Sequence, residues 1–499
     1  MSQGAKVVKD NNKVVEETKG ASVASQRGTN GVVEVRDADS VVANAVNLLP
    51  GLVEENGFSR LFAFGSAECE QFETGGEEPE TRRPVEISFL GGAKVKVARL
   101  VCGSQHCALL SWNCEVFTFG NSDNFCLGRP ISAASPSARP GKVDLPFKVD
   151  LLAAGDCFTV CANSVTGVLG FWGTIISATA GKLKIAQTPE TIENYYLTRK
   201  GVRDLKTGSN HVAVLSGGRV FTWGDGETGA LGTDLRQNVE QMHASEPTAV
   251  GIKSVERIFT TFNNTFFVTK FKVLGCGLNN YNQLGLKSLE EFESQENQGE
   301  NEEENKEQNK EEKEEKEWGA KKETKPMVQK TPVAIPGLEP SQVEFITGGE
   351  HHSLILDSTG RIFGSGRNDD GQLGETEDST TLGHFRLLNH LPPCRSLTST
   401  AHFNYALDRE KCQFYSWGFG SSYVLGNGKE DSLEVAFHVS NEKLFKCEPS
   451  LLAIGYSHVV FSTGAIADPN LLRDFLLVQR KKRLPASRSK SRPAKRVNK

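Results

Sequence analysis

Few residue combinations in this chain could do chemistry, and each has a plainer reading beside it. Gly224-Asp225-Gly226-Glu227-Thr228-Gly229 fits the GxGxxG fingerprint with which a backbone turn cradles a pyrophosphate. That use needs a strand before the turn, a helix after it and an acidic residue about twenty positions on. Here the same turn recurs along the chain as a β corner, which removes the reading. Cys157 and Cys161, spaced CxxxC on an expected strand, would offer a metal two soft donors beside a histidine. Buried structural cysteine is the more ordinary reading. The phosphate loop GxxxxGKS/T, the HExxH zinc pair and the GxSxG nucleophile elbow do not occur. A metabolic enzyme is therefore not expected, nor is a cofactor or a metal.

Histidine recurs instead in one fixed setting, Gly-x-x-His followed by alternating apolar residues. The copies are Gly103 to His106, Gly208 to His211, Gly349 to His352 and Gly455 to His458, with weaker forms at Gly155 (GDCF), Thr261 (TFNN) and Ala401 (AHFN). The alternation that follows, as in Val212-Ala213-Val214-Leu215, has the period of two expected of a half-buried strand.

The elements that must carry these residues are set by a second repeat. Short aromatic strands end in glycine at Gly65, Gly120, Gly173, Gly224, Gly277, Gly366 and Gly418, mostly 51 to 55 residues apart. In five copies a Leu-Gly pair follows eight positions later, at Gly128, Gly232, Gly285, Gly374 and Gly426. A unit of this length cannot bury its own faces and must stack on its neighbours. At the two ends the half-motifs do not match up. The turn at Gly65 has no Gly-x-x-His strand before it, and the strand after Gly455 has no glycine turn after it. Pairing residues 61 to 64 into one sheet with residues 451 to 461 removes both orphans. The expected fold is all-β: a seven-bladed β-propeller of four-stranded antiparallel blades, its last blade closed by the N- and C-terminal strands.

The 499 residues therefore make one propeller, residues 57–463, and not several domains. Hydrophobic residues at 37% suffice for a core shared between blades, and a net charge of -5 gives no overall bias toward nucleic acid. Eleven cysteines without a CxxC pair, and an N-terminus without a secretory apolar stretch, favour a reducing compartment. Residues 1–56 are expected to be a disordered arm. The one wide gap, 89 residues from Gly277 to Gly366, is explained by a Glu/Lys-rich loop insertion at 288–330. Asp468-Pro469 opens an expected short helix at 464–479. Residues 480–499 hold ten Lys or Arg and no acid, with Arg480, Lys481, Lys482, Arg483, Lys495 and Arg496 at its two ends. A tail this basic suits a nuclear import receptor or the phosphates of nucleic acid. No apolar run is long enough to span a membrane. A closed ring makes a monomer the default expectation.

The two half-motifs, in order and seven times over, resemble the repeat of the regulator of chromosome condensation family. The resemblance spans about residues 58–463, and WD-repeat propellers would show a different pair at a shorter period. It implies a guanine nucleotide exchange factor for the Ran GTPase that works without covalent chemistry, in the nucleus and on chromatin (DNA or nucleosome) through the basic tail and loops. One face would grip the GTPase, and a wedge from an inner blade would disturb its phosphate-binding loop. Position by position, the resemblance assigns Glu68, His106, Asp156, Asn210, His352 and His458 to that face. It places the wedge in Trp172 to Gly181, with Thr174, Ile175, Ile176 and Ser177 at its centre. Asn210 stands where the family has an aspartate, and the wedge lacks charged residues at its tip. The rival reading is a chromatin- or protein-binding propeller scaffold without exchange activity. An ultraviolet photoreceptor of the same fold would need clustered interface tryptophans, and the chain has only five.

Overall fold

Each aromatic-glycine turn solves one steric problem. The seven glycines carry φ between +102° and +125°, a region that L side chains rarely adopt. At Gly224 an added Cβ would also lie 2.3 Å from the carbonyl oxygen of Asn210 on the neighbouring strand. Glycine is thus required twice over, by dihedral angle and by cross-strand approach, and this explains why the motif repeats so strictly.

The computed structural model describes residues 58–233, 243–286, 328–374, 381–410, 413–439 and 449–463. Among them the strands form seven four-stranded sheets, each a simple antiparallel meander. The second blade is typical in order: Leu151–Ala154 innermost, then Phe158–Ala162, Leu169–Ser177 and Gly181–Ile192 outermost. The closing blade joins both ends of the chain. Leu61–Ser66 pairs with His458–Thr463, with Leu61 opposite Ser462 and Gly65 opposite His458. Pro449–Ile454 lies inside that pair and Glu80–Ile87 outside it. The propeller and its terminal closure are as the repeats require.

Side chains from facing blades fill the spaces between them. Trp172, Trp223 and Trp417 are fully buried there. The Trp172 and Trp417 indoles donate to the carbonyls of Cys126 and Gln372, one blade back, at 2.9 and 3.0 Å. Trp172 and Trp417 are thus core residues that also tie blades together. Tyr195–Lys200 forms a short helix between the second and third blades, capped by the Asn194 side chain. Nothing in the repeat pattern announced it.

Meander topology sorts the loops. Turns from a blade's innermost strand to the next, which hold the Gly-x-x-His motifs, share one face with the connections from third to fourth strand. The wedge, Glu68, Asp225 and Glu227 all lie on such third-to-fourth connections. The connection between Val273–Leu278 and Val328–Ala334 leaves from that same face. Residues 328–330, placed in the insertion by sequence, open its returning strand. The N-terminal arm, residues 288–327 of the insertion, the helix expected at 464–479 and the tail with Arg480, Lys481, Lys482, Arg483, Lys495 and Arg496 lie outside the described residues.

Candidate functional site

The mouth of the central channel is built by the second residue of each Gly-x-x-His turn. Ser104, Asp156, Ser209, Phe262, Glu350, Ala401 and Tyr456 occupy this position, and backbone bonds link them blade to blade. The amides of Tyr456, Ser104, Asp156 and Ser209 donate to the carbonyls of Ser104, Asp156, Ser209 and Phe262, and that of Glu350 to Ala401. In the sixth blade the turn begins at Thr400, whose amide donates to Phe403. The sequence register that started this copy at Ala401 is one residue late, because Thr400 replaces the glycine that marks the others.

The motif's glycine and histidine belong together. At Gly103 a Cβ would lie 2.3 Å from the His106 ring and the same distance from the carbonyl of Gly155. The histidine folds back over the glycine and then reaches into the next blade. His106 Nε2 meets Thr159 Oγ1 at 2.9 Å, His211 meets Thr265 at 2.9 Å, and His352 meets Asn404 Oδ1 at 2.8 Å. His458 Nε2 lies 3.2 Å from Cys107 Sγ across the ring closure. In every case the partner is the residue that directly follows the fourth position of the next motif. All four histidines are buried. Burial lowers His106 to about 3 and His211 and His352 to about 4, so these three are neutral ties at physiological pH. Their side chains are buried beneath the face and bond side chains of the next blade.

Asp156 is the exceptional member of the mouth. Its carboxylate accepts from the Tyr456 hydroxyl at 3.1 Å, and the Tyr456 ring stacks on Phe262 at 5.5 Å. Tyr456 therefore reaches across the opening from the closing blade to the second and fourth. Burial pushes the Asp156 carboxyl up to about 7, opposed by the Tyr456 hydrogen bond and reinforced by the charge of Glu350. Below the mouth the seven innermost strands line a cavity of about 380 Å³ that includes Arg99, Cys102, Lys206 and Thr347.

The wedge is a β-hairpin of unusual length for this ring, with strands of nine and twelve residues. Its turn runs from Ser177 to Gly181, and Thr174, Ile175 and Ser177 are buried while Ile176 is partly exposed. Two residues of the third blade hold it. Asn210 Oδ1 accepts from the Ile176 amide at 3.0 Å, so this side chain faces the wedge. At the tip, the Glu227 carboxylate accepts from the Thr179 amide at 3.1 Å and from the Ser177 and Thr179 hydroxyls. Burial works to raise the Glu227 carboxyl, but the hydrogen bonds from Ser177 and Thr179 prevail and lower it. His243 lies 3.1 Å from Asp225 and 3.8 Å from Glu227. The charge missing from the wedge tip is supplied by Glu227 of the neighbouring blade and by Lys182, opposite Ile176 on the returning strand.

Glu68 is exposed on the closing blade, where its amide is held by Ser66 Oγ at 3.3 Å. Glu68, Asp156, Asn210 and the wedge thus share a face, with the four histidines beneath it. Tyr456, Phe262, Glu350 and Glu227 join them although the sequence reading passed over them. Their signal was present, since three occupy the position equivalent to Asp156. Cys157 and Cys161 join no ligand cluster among the described residues. The clusters there are Cys102, Cys107 and His458, and Asp225, Glu227 and His243.

Comparison with known proteins agrees with this architecture. Protein pim1 of Schizosaccharomyces pombe is 27% identical over 420 residues, covering 78% of this chain and 71% of that protein. The regulator of chromosome condensation of Homo sapiens is 26% identical over 405 residues, covering 77% and 83%. The guanine nucleotide exchange factor SRM1 of Saccharomyces cerevisiae is 26% identical over 413 residues, covering 72% and 78%. Among solved structures, Prp20p of Saccharomyces cerevisiae, described with its binding properties to Gsp1p and histones, shares the fold with a TM-score of 0.66. That match is 24% identical and covers 86% of this chain and 97% of Prp20p. The RCC1-like domain matches residues 60–461, nearly the whole ring, and the chain belongs to that family.

Proposed function

We propose that the protein is a guanine nucleotide exchange factor for the Ran GTPase. The observation that carries this reading is the meeting, on one face, of a partly buried, energetically costly carboxylate and a braced hairpin. Perturbed carboxylates held in a cleft are characteristic of working sites, and Asp156 would be cheaper to the fold as an uncharged residue. The hairpin beside it is longer than structural closure of a blade requires. Relatives named regulator of chromosome condensation and guanine nucleotide exchange factor support the assignment.

The mechanism needs no bond made or broken in the propeller. Asp156 and Glu68 present carboxylates that steer and register a basic GTPase surface. The wedge, held at Asn210 and Glu227, presses on the nucleotide site. The buried histidines act through position, fixing the turns that carry the contact residues. A partner that binds the empty GTPase more tightly than either loaded form must, by linkage, loosen both GDP and GTP. The direction of exchange then follows nucleotide supply.

The same proposal extends to the nucleus. The basic tail would engage chromatin and an import receptor. Prp20p is described with histone binding, and a yeast RCC1 has been solved with Kap60 bound. A propeller scaffold without exchange activity is favoured by one feature, the uncharged Asn210 turned toward the wedge. The test is release of labelled GDP from purified Ran, with unrelated small GTPases alongside. Acceleration confined to Ran is expected. Release at the spontaneous rate would leave the scaffold.

A further inference from the structure

Three blade seams pair a buried histidine with a hydroxyl or an amide, and the ring closure alone among these four pairs it with a thiol. Cys107 takes the place that Thr159, Thr265 and Asn404 hold elsewhere, and its Sγ lies 3.2 Å from His458 Nε2. A second cysteine faces it. Cys102 is opposite Cys107 on the adjoining strand, and their sulfurs are 2.7 Å apart.

The backbone suits a covalent link between them. The Gly103 amide donates to the His106 carbonyl at 2.8 Å, which makes that pair the hydrogen-bonded one and Cys102 and Cys107 the next, non-bonded pair. Such pairs bring their Cα atoms to about 4.5 Å and their side chains closer still. Disulfides begin at about 4.4 Å between Cα atoms. A metal fits less well. Two thiolates on tetrahedral zinc at about 2.3 Å stand about 3.8 Å apart, well beyond the observed gap, and the cluster offers three donors among the described residues. Access is one-sided. Cys107 is fully buried, whereas Cys102 lines the central cavity and is partly exposed.

We propose that Cys102 and Cys107 are a reversible dithiol and disulfide pair, oxidised by hydrogen peroxide that reaches Cys102 through the channel. The Cys102 thiolate attacks one peroxide oxygen. The O–O bond breaks, leaving a sulfenic acid on Cys102 and releasing hydroxide, which is protonated to water. Cys107 sulfur then attacks the Cys102 sulfur, the S–O bond breaks, and His458 Nε2 accepts the Cys107 proton and passes it to the departing hydroxide as a second water. Two thiols and one peroxide become one disulfide and two waters. Although burial works to raise the Cys102 thiol, its hydrogen bonds with Cys107 and His458 bring it below the ordinary thiol value. Burial raises Cys107.

The loop between the two cysteines contains Ser104, whose amide and hydroxyl bond the Asp156 carbonyl at 3.2 and 2.8 Å. Ser104 also accepts from the Tyr456 amide at 2.9 Å. The redox state of the pair is thereby joined to the mouth of the channel.

The experiment treats the purified full-length protein with hydrogen peroxide, blocks remaining thiols with N-ethylmaleimide and maps every cysteine by mass spectrometry. The expected product is a peptide spanning residues 102 to 107 that has lost two hydrogens and regains them with dithiothreitol. It should form at least about tenfold faster than any change at the buried thiols Cys161 and Cys276. The C107S variant should stop at a sulfenic acid on Cys102 that dimedone traps. His458→Asn should slow the wild-type reaction, whereas His352→Asn should not. Should a variant fail to fold, the wild-type map decides alone. Both cysteines still open to the maleimide, oxidation of Cys102 beyond sulfenic acid without a link, or one equivalent of zinc with both thiols protected would each overturn the proposal.

Discussion

Replacing Asp156 by asparagine should make the propeller more stable, and increasingly so as pH rises. The substitution keeps the shape and an oxygen that can accept from Tyr456, but it removes the charge. In the unfolded chain the carboxyl titrates near 3.8, and in the folded one burial moves it to about 7. Between those values the native state holds a proton that the unfolded state has released. Native stability therefore falls as pH rises through this window, and the full cost is present above about pH 7. At about 1.4 kcal/mol per pKa unit the cost reaches about 4 kcal/mol at its ceiling, and solvent at the partly exposed edge trims it toward about 2 kcal/mol. With an unfolding entropy of about 2.1 cal/mol/K per residue over residues 60–461, the variant should melt about 2–5 °C higher at pH 8. At pH 5, where most of the proton release lies ahead, the gain should be under about 2 °C. Calorimetry of both proteins at the two pH values is the assay. The same variant should exchange Ran nucleotide more slowly despite its greater stability. A gain equal at both pH values, or a lower melting temperature at pH 8, would refute the reasoning.

Glu227→Ala frees the wedge tip from its three hydrogen bonds, and exchange should fall about tenfold, corresponding to about 1.4 kcal/mol of lost positioning. Its melting temperature should move by less than about 2 °C because the latch is peripheral; a large drop with normal exchange would make Glu227 purely structural. His352→Leu strands the buried Asn404 carbonyl and should cost about 2 kcal/mol in urea unfolding. Exchange per folded molecule should stay within about twofold, and a much larger loss at full folding would place the ring in direct contact with the GTPase. Removing residues 480–499 should weaken DNA binding and flatten its dependence on salt, read by titration at two ionic strengths; unchanged slopes would assign the tail elsewhere.

Much of this was legible because the repeat imposes backbone demands that few residues meet. A glycine at φ beyond +100° with a carbonyl oxygen 2.2 to 2.6 Å from any added Cβ must remain glycine, so the seven turns stand out in the chain. The ends were legible for the same reason, since each held half of a unit. Asp156 was singled out through the resemblance of its motif, but what makes it unusual was not legible. The raised carboxyl comes from burial in the assembled mouth, reinforced by Glu350 from another blade and opposed by the hydrogen bond from Tyr456, three hundred residues away in sequence. The histidines were placed correctly in the chain, yet their partners lie one blade on, 52 to 54 residues later for the three within the ring. Reading the repeat one step further, from each histidine to the residue after the next motif, would have found them. Glu227 was hidden differently. It sat inside a glycine run that resembled a nucleotide fingerprint, and only the hairpin of the preceding blade reveals its role.

If the protein is the proposed exchange factor, nucleotide-free Ran sits on one face of the ring, over Asp156 and the hairpin of residues 169–192. Hydrogen exchange of the propeller, alone and with nucleotide-free Ran, reads that claim directly. Slowed exchange at 155–158, 174–181 and 455–458, with no change in the loops of the opposite face, is the predicted result. Protection confined to that opposite face, or none anywhere, would contradict it.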